Sequence, residues 1–316
     1  MTNALNCAGN IADPQALRRR IYAQPNVSRA NLTDLLALGG EADSQEHAAL
    51  LADVATDLLV NQVDPPKYIS QADADWLTNA VRACSGLSMR AEIRMLTDVI
   101  RYAVSVPPSL AGFCVSEIES AIIKGRADHP AGAVSEADLE ALREAAFAAV
   151  EGSALHVTRH SAEALFRIAH ATNGAANAPG FDEFFAKAVG NYLMGIAFHW
   201  TPSAAAEREK EQWLDQKPES LEQFVAEEFG GSAPLRLDLR SPTQIDEERI
   251  KAENAADQSE MAMASQIDPG ETDWLTAQLS RSGALTSAER SLLQFLRREA
   301  PALPARLQAR IEELAA

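Results

Sequence analysis

The sequence predicts an all-α protein: repeated helix–loop–helix units form a helical bundle, and a small helical module closes the chain. Three observations predict it. Ala and Leu dominate a chain that is 47% hydrophobic and only 6% aromatic, a composition that favours helix. The alternation of Val, Ile, Thr and Tyr that marks half-buried strands is nearly absent. The tetrapeptide DWLT occurs twice, starting at Asp75 and at Asp273, although the chain holds only 4 Trp.

Both copies of DWLT sit in a helix-opening pattern. ISQADADWL starts at Ile69, IDPGETDWL at Ile267, and VSEADLEAL fits the same frame from Val134. A weaker copy, VSRANLTDLL, starts at Val27. Ser70, Ser135 and Asp268 stand as N-caps, whose side-chain oxygens accept from first-turn amides. Asp73, Asp138 and Glu271 follow at N3, where an acid reaches back to the cap amide and favours the positive end of the helix dipole. Ile69, Val134 and Ile267 precede the caps as hydrophobic staples. Pro269 takes N1, where its missing amide costs nothing.

A loop and a second helix follow each opening. Gly86 and Gly283, Glu92 and Glu289, and Leu96 and Leu293 are all 197 positions apart. Thr286 and Glu289 form a capping box. The copy at Val134 keeps the order over a longer loop, as Gly152, Leu155, Val157, Thr158, Glu163 and Leu165. Unit starts near 27, 69, 134 and 267 have no fixed period, which predicts no regular solenoid. Pro-led helices follow two units, at Pro107–Pro108 and at Pro304.

These features divide the chain into a leader over 1–26, with a short helix through LRRRIY, and a helical domain of three units over 27–217. Residues 218–264 are a charged helix and linker, and 265–316 a C-terminal helix–loop–helix module. A helix over 181–198 aligns Phe184, Phe185, Ala188, Tyr192 and Ile196 as a core or partner-binding stripe, with core the favoured reading. A charged amphipathic helix over 207–229 puts Trp213, Leu214, Leu221, Phe224 and Val225 on its apolar side. About fifty residues is marginal for an independent core. Trp274, Leu292, Phe295 and Leu296 of the last module therefore dock on the main body or on another protein.

In the last unit Gln278, Ser280, Ser282, Gly283, Leu285 and Glu289 have the spacing of an EF-hand calcium loop, with Gly at the sharp turn and Glu at the final position. Ser280, Ser282 and Glu289 are weak metal candidates only, because one carboxylate supplies too little charge to dehydrate Ca²⁺. The first unit puts Val81, Ala83 and Ser85 at the ligand positions before Glu92. These turns resemble EF-hand-like units without the metal, and also the tellurite-resistance-B-type helical domains. The stretch from 157 to 194 resembles uncharacterised bacterial helical proteins with degenerate EF-hand-like units. The resemblance covers about 69–217 and implies a metal-free helical scaffold; Arg167, Ala169 and His170 stand where a working loop carries acids.

The formal charge is −17, which disfavours binding to nucleic-acid phosphates. Residues 207–260 carry 15 acids and 7 bases. Such a segment is a solvated acidic linker or a contact surface for a basic protein partner. Cys7, Cys84 and Cys114 are odd in number and form no CxxC, as expected of free thiols in a reducing cytoplasm. No secretory leader is read at the N-terminus, and no apolar run reaches about 18 residues, so no integral membrane segment is expected.

Few residues stand in patterns that carry chemistry. His156 and His160 have the spacing of a zinc pair, but Thr158 caps the following helix, so His156 lies before it. No GxSxG, P-loop or strand-linked GxGxxG is present, and no cofactor is implied. The acid pairs Glu227–Glu228 and Glu247–Glu248 are adjacent and face different sides of a helix. The sequence thus predicts a non-enzymatic protein-interaction or scaffold protein. The alternative is a sensor of calcium or another divalent cation.

Overall fold

The caps set where helices begin, and apolar faces set what they pack on. In the computed structural model, described over residues 13–38, 44–84, 87–150, 153–154, 156–194, 198–199, 204–205, 207–208, 267–281, 284–300 and 303–315, twelve α-helices carry the fold. They are α1 Pro14–Ile21, α2 Arg29–Leu38, α3 Gln45–Thr56, α4 Gln71–Ala83, α5 Met89–Tyr102 and α6 Pro108–Lys124. Then come α7 Glu136–Ala146, α8 Arg159–Ala171, α9 Phe181–Leu193, α10 Pro269–Leu279, α11 Ser287–Glu299 and α12 Ala305–Ala315. A π-turn, Asp57–Asn61, ends α3. The only paired strands among the described residues are β1 Ser153–Ala154 and β2 Phe198–His199, an antiparallel two-residue ribbon.

Ser70, Ser135 and Asp268 cap α4, α7 and α10. The reciprocal box closes at Ser135/Asp138, Asp268/Glu271 and Thr286/Glu289. At Ser70 only half of it forms; the Asp73 carboxylate accepts from the Ser70 hydroxyl and from Arg29. The staple residues Val27, Ile69, Val134 and Ile267 are all buried.

The two arms of a helix–loop–helix do not pack extensively on each other. Instead, a helix preceding each unit packs on that unit's second arm: α3 on α5, α6 on α8 and α9 on α11. Helix α6 also touches α4, α5 and α7. Its buried residues (among them Leu110, Phe113, Cys114, Val115, Ile118 and Ile122) lie on several sides of the helix, as in a helix surrounded by neighbours. The irregular sequence period therefore conceals a regular order of packing. Period depends on connectors, which differ widely in length: 62–70, 125–135 and 194–268. The packed faces are apolar, and the buried positions of α5 match those of α11.

Helix α1 is tied to α3 by the Arg18–Asp53 ion pair and by Tyr22, whose hydroxyl donates to Asp57 at 2.5 Å. Helix α9 ends at Leu193, short of the expected 198. The chain there turns to reach the α7–α8 connection, where Asn191 accepts from the Val157 amide at 2.8 Å and Phe198 pairs with Ala154.

Residues 1–201 and 265–316 form one compact unit, and 202–264 form another. The helix expected over 207–229 lies outside the described residues apart from 207–208. Among the described residues, no helix is long and apolar enough to cross a membrane.

Candidate functional site

The turn between α4 and α5 carries a cavity of about 490 Å³. Its construction begins at Ser88, which caps α5 by accepting from Ala91. That start places Glu92 one turn into the helix on the inward face, only 3% exposed. Glu117 comes from α6. At the end of α6, Gly125 turns the chain with φ of 73°. A Cβ there would lie 3.1 Å from the Ala131 amide nitrogen and 3.2 Å from the His129 carbonyl oxygen, so both the backbone angle and the space call for glycine. Arg126 follows at once, fixed by reciprocal backbone bonds with His129 at 2.8 and 3.0 Å.

The Arg126 guanidinium reaches back 34 residues to donate to Glu92 Oε2 at 2.5 Å, and its other nitrogen donates to Glu117 Oε2 at 3.2 Å. Glu92 Oε1 is buried with no donor. Burial raises the pKa of the Glu92 carboxyl above the usual range; Arg126 opposes that shift and the nearby Glu117 adds to it. Burial and then the Glu92 charge likewise push up the Cys84 thiol on the cavity wall. Two carboxylates thus share a single guanidinium. The same wall holds Asp128, whose Oδ2 accepts from the Arg90 amide at 3.4 Å, and Arg82, whose guanidinium lies over the Phe113 ring.

The turn between α10 and α11 and the start of α8 use their carboxylates differently. The caps Ser70 and Asp268, and Ser88 and Thr286, are 198 positions apart. The buried faces of α5 and α11 match at 197: Ala91, Glu92, Met95, Leu96 and Val99 against Ala288, Glu289, Leu292, Leu293 and Leu296. Helix α5 therefore starts one residue earlier relative to its buried face, and only Glu289 reaches its own cap amide. Its Oε2 accepts from the Thr286 amide at 2.7 Å, and its Oε1 lies 2.9 Å from His170 Nε2. In α8, shifted by 70 positions, cap and buried face both place Ala162 where α5 has Glu92. Glu163, aligned with that glutamate by order along the chain, is instead part-exposed and holds Arg159 and the Trp274 indole.

The weak metal candidates do not converge. The Ser280 hydroxyl donates back to the Thr276 carbonyl at 2.7 Å, Ser282 lies outside the described residues, and Glu289 is fully buried against His170. Among the described residues, no group of three or more His, Cys, Asp or Glu side chains is arranged to hold a metal ion.

Of the four docking residues, Trp274, Leu292 and Leu296 are buried in the chain's own core and Phe295 is half-buried against it. Trp274 donates to Glu163 Oε1 at 3.1 Å and meets Phe166 and Tyr192 edge-on at 5.7 and 4.8 Å. Leu292 and Leu296 are fully buried, and the Phe295 ring lies over Gly190 of α9. One further pair looks like chemistry: His160 Nε2 is 2.9 Å from Ser116 Oγ. That hydroxyl donates to the Gly112 carbonyl at 2.9 Å. Its proton is committed to the helix, so His160 acts as donor to it and not as its base.

Sequence reasoning missed Glu117 and Arg126. The one local signal was Gly125, a left-handed stop directly after an apolar helix. Comparison with protein-family models, with curated proteins and with solved structures finds no match to this chain.

Proposed function

We propose that the protein is a non-enzymatic scaffold: a body of metal-free, EF-hand-like hairpins that presents the acidic segment 202–264 to a basic protein partner. The observation that carries this reading is the division of the chain. Residues on both sides of the segment, 1–201 and 265–316, belong to one compact unit. The segment separates two stretches of that unit along the chain, and 207–260 hold 15 acids against 7 bases. A steady negative field of this kind favours basic partners and accelerates their encounter.

The turns support the same reading. Where a calcium loop spends its last carboxylate on the ion, the Glu92 and Glu289 carboxylates here face Arg126 and His170 of the same chain. Those side chains join one helical unit to the next.

The test compares the full chain with a variant in which 204–264 is replaced by a short Gly/Ser linker. The full chain is expected to capture basic proteins from extract at low ionic strength and to release them at about 0.5 M salt, where screening shortens to a few ångströms. The variant is expected to keep its melting temperature and lose the capture. Capture by both forms alike refutes the reading. A rise in melting temperature in millimolar Ca²⁺ would replace it with the divalent-cation sensor, since a ligand of the native state stabilises by mass action.

A further inference from the structure

We propose that the cavity beside the α4–α5 turn binds a small organic cation, an ammonium or guanidinium group on a short apolar body. Two features select that class. The acidic cluster is short of donors: Glu92 is 3% exposed, lines the cavity, and keeps one carboxyl oxygen without any donor from the protein. Buried acceptors are normally satisfied, so this one marks a position that a further donor completes. The cluster is also short of positive charge. Glu92 and Glu117 share Arg126, and Asp128 shares the same wall with only a long backbone contact. The remaining guanidinium on the wall, Arg82, is held over Phe113.

Competing classes fit less well. An anion would meet Glu92, Glu117 and Asp128 together. A wholly apolar ligand would leave the Glu92 oxygen unpaired, at the cost of an unmade bond. A divalent ion needs several converging anionic ligands, and no such group is found among the described residues. A cationic head, by contrast, seats against Glu117 and Asp128 above the buried Glu92, while Val81 and Leu87 on the same wall receive an alkyl body. The volume of about 490 Å³ suits a small molecule. This inference is independent of the acidic segment and its partner.

The test uses the full chain and four probes of similar size: n-butylammonium, n-butylguanidinium, butyrate and n-butanol, with CaCl₂ as a separate arm. The two cations are expected to bind saturably by calorimetry, and butyrate and butanol not to bind. Glu92→Gln keeps the shape of the side chain and removes its charge; it is expected to weaken cation binding at least tenfold, while Glu163→Gln, outside the cavity, leaves binding unchanged. A second measurement needs no variant. Saturating n-butylammonium is expected to slow alkylation of Cys84 severalfold, read by mass spectrometry on the peptide that carries it. The proposal is overturned if neither cation binds, if Glu92→Gln binds as the parent does, if Cys84 alkylation is unaffected, or if only Ca²⁺ binds.

Discussion

Replacing Gly190 by Ala sets two effects of opposite sign against each other at the α9–α11 contact. In a helix interior Ala is favoured over Gly by about 1 kcal/mol. A Cβ built at Gly190, however, lies 2.4 Å from Phe295 Cε1 and 2.8 Å from Cδ1. Carbon atoms in good contact stand about 3.5–4.0 Å apart. The ring must therefore retreat by about 1 Å or more, and overpacking of this kind costs about 1–3 kcal/mol. The clash outweighs the propensity, so Gly190→Ala is expected to lose about 1 kcal/mol. In a Phe295→Ala background nothing opposes the new methyl, and the same substitution is expected to gain about 1 kcal/mol. The coupling between the two positions is thus about 2 kcal/mol. Urea denaturation of the four proteins, followed by tryptophan fluorescence and far-ultraviolet dichroism, measures it. A gain of about 1 kcal/mol in both backgrounds would show that Phe295 does not occupy the space over Gly190.

Three further outcomes follow from the turns. Because the folded-state pKa of Glu92 is raised by burial, the folded protein holds this proton more tightly than the unfolded chain. That difference opposes folding as pH climbs from about 4.3, the ordinary glutamate value, through the raised one. Glu92→Gln is therefore expected to gain stability relative to the parent as pH rises across that window, and a pH-independent difference in urea midpoint would refute it. Thr286→Ala removes the acceptor for the Glu289 amide and is expected to cost about 1–2 kcal/mol by thermal or urea unfolding. Gly125→Ala forces a side chain onto a left-handed backbone against the Ala131 amide and His129 carbonyl; a loss of about 1–3 kcal/mol is expected, together with weaker n-butylammonium binding as Arg126 is displaced.

What could be read from the sequence was local. The caps at Ser135, Asp268 and Thr286 depend on side chains three residues away, and the staple residues Ile69, Val134 and Ile267 on the next turn, so short patterns reveal them. The docking of α9 on α11 depends on Gly190 and Phe295, which are far apart in the chain and ordinary in composition. The same holds for the cavity. Glu92, Glu117 and Arg126 come from three elements, and no spacing among them announces a cluster. Order along the chain also misleads about equivalence. It pairs Glu163 with Glu92, whereas the helix register puts Ala162 at that position. A loop that lengthens by a residue rotates the following helix's numbering by about 100° relative to its buried face. The expected run of α9 through 198 failed for a related reason: apolar periodicity continues past the point where Asn191 is recruited by a distant backbone amide.

The contact of α9 with α11 has a consequence for a broken chain. A protease cutting anywhere within 204–264 would sever the covalent path between the helices up to α9 and the last three, yet Phe295 over Gly190, His170 beside Glu289 and the Trp274 indole on Glu163 would still join them. Nicked material should migrate as a single particle in native separation and as two fragments only after denaturation, and the two halves expressed apart should reassemble.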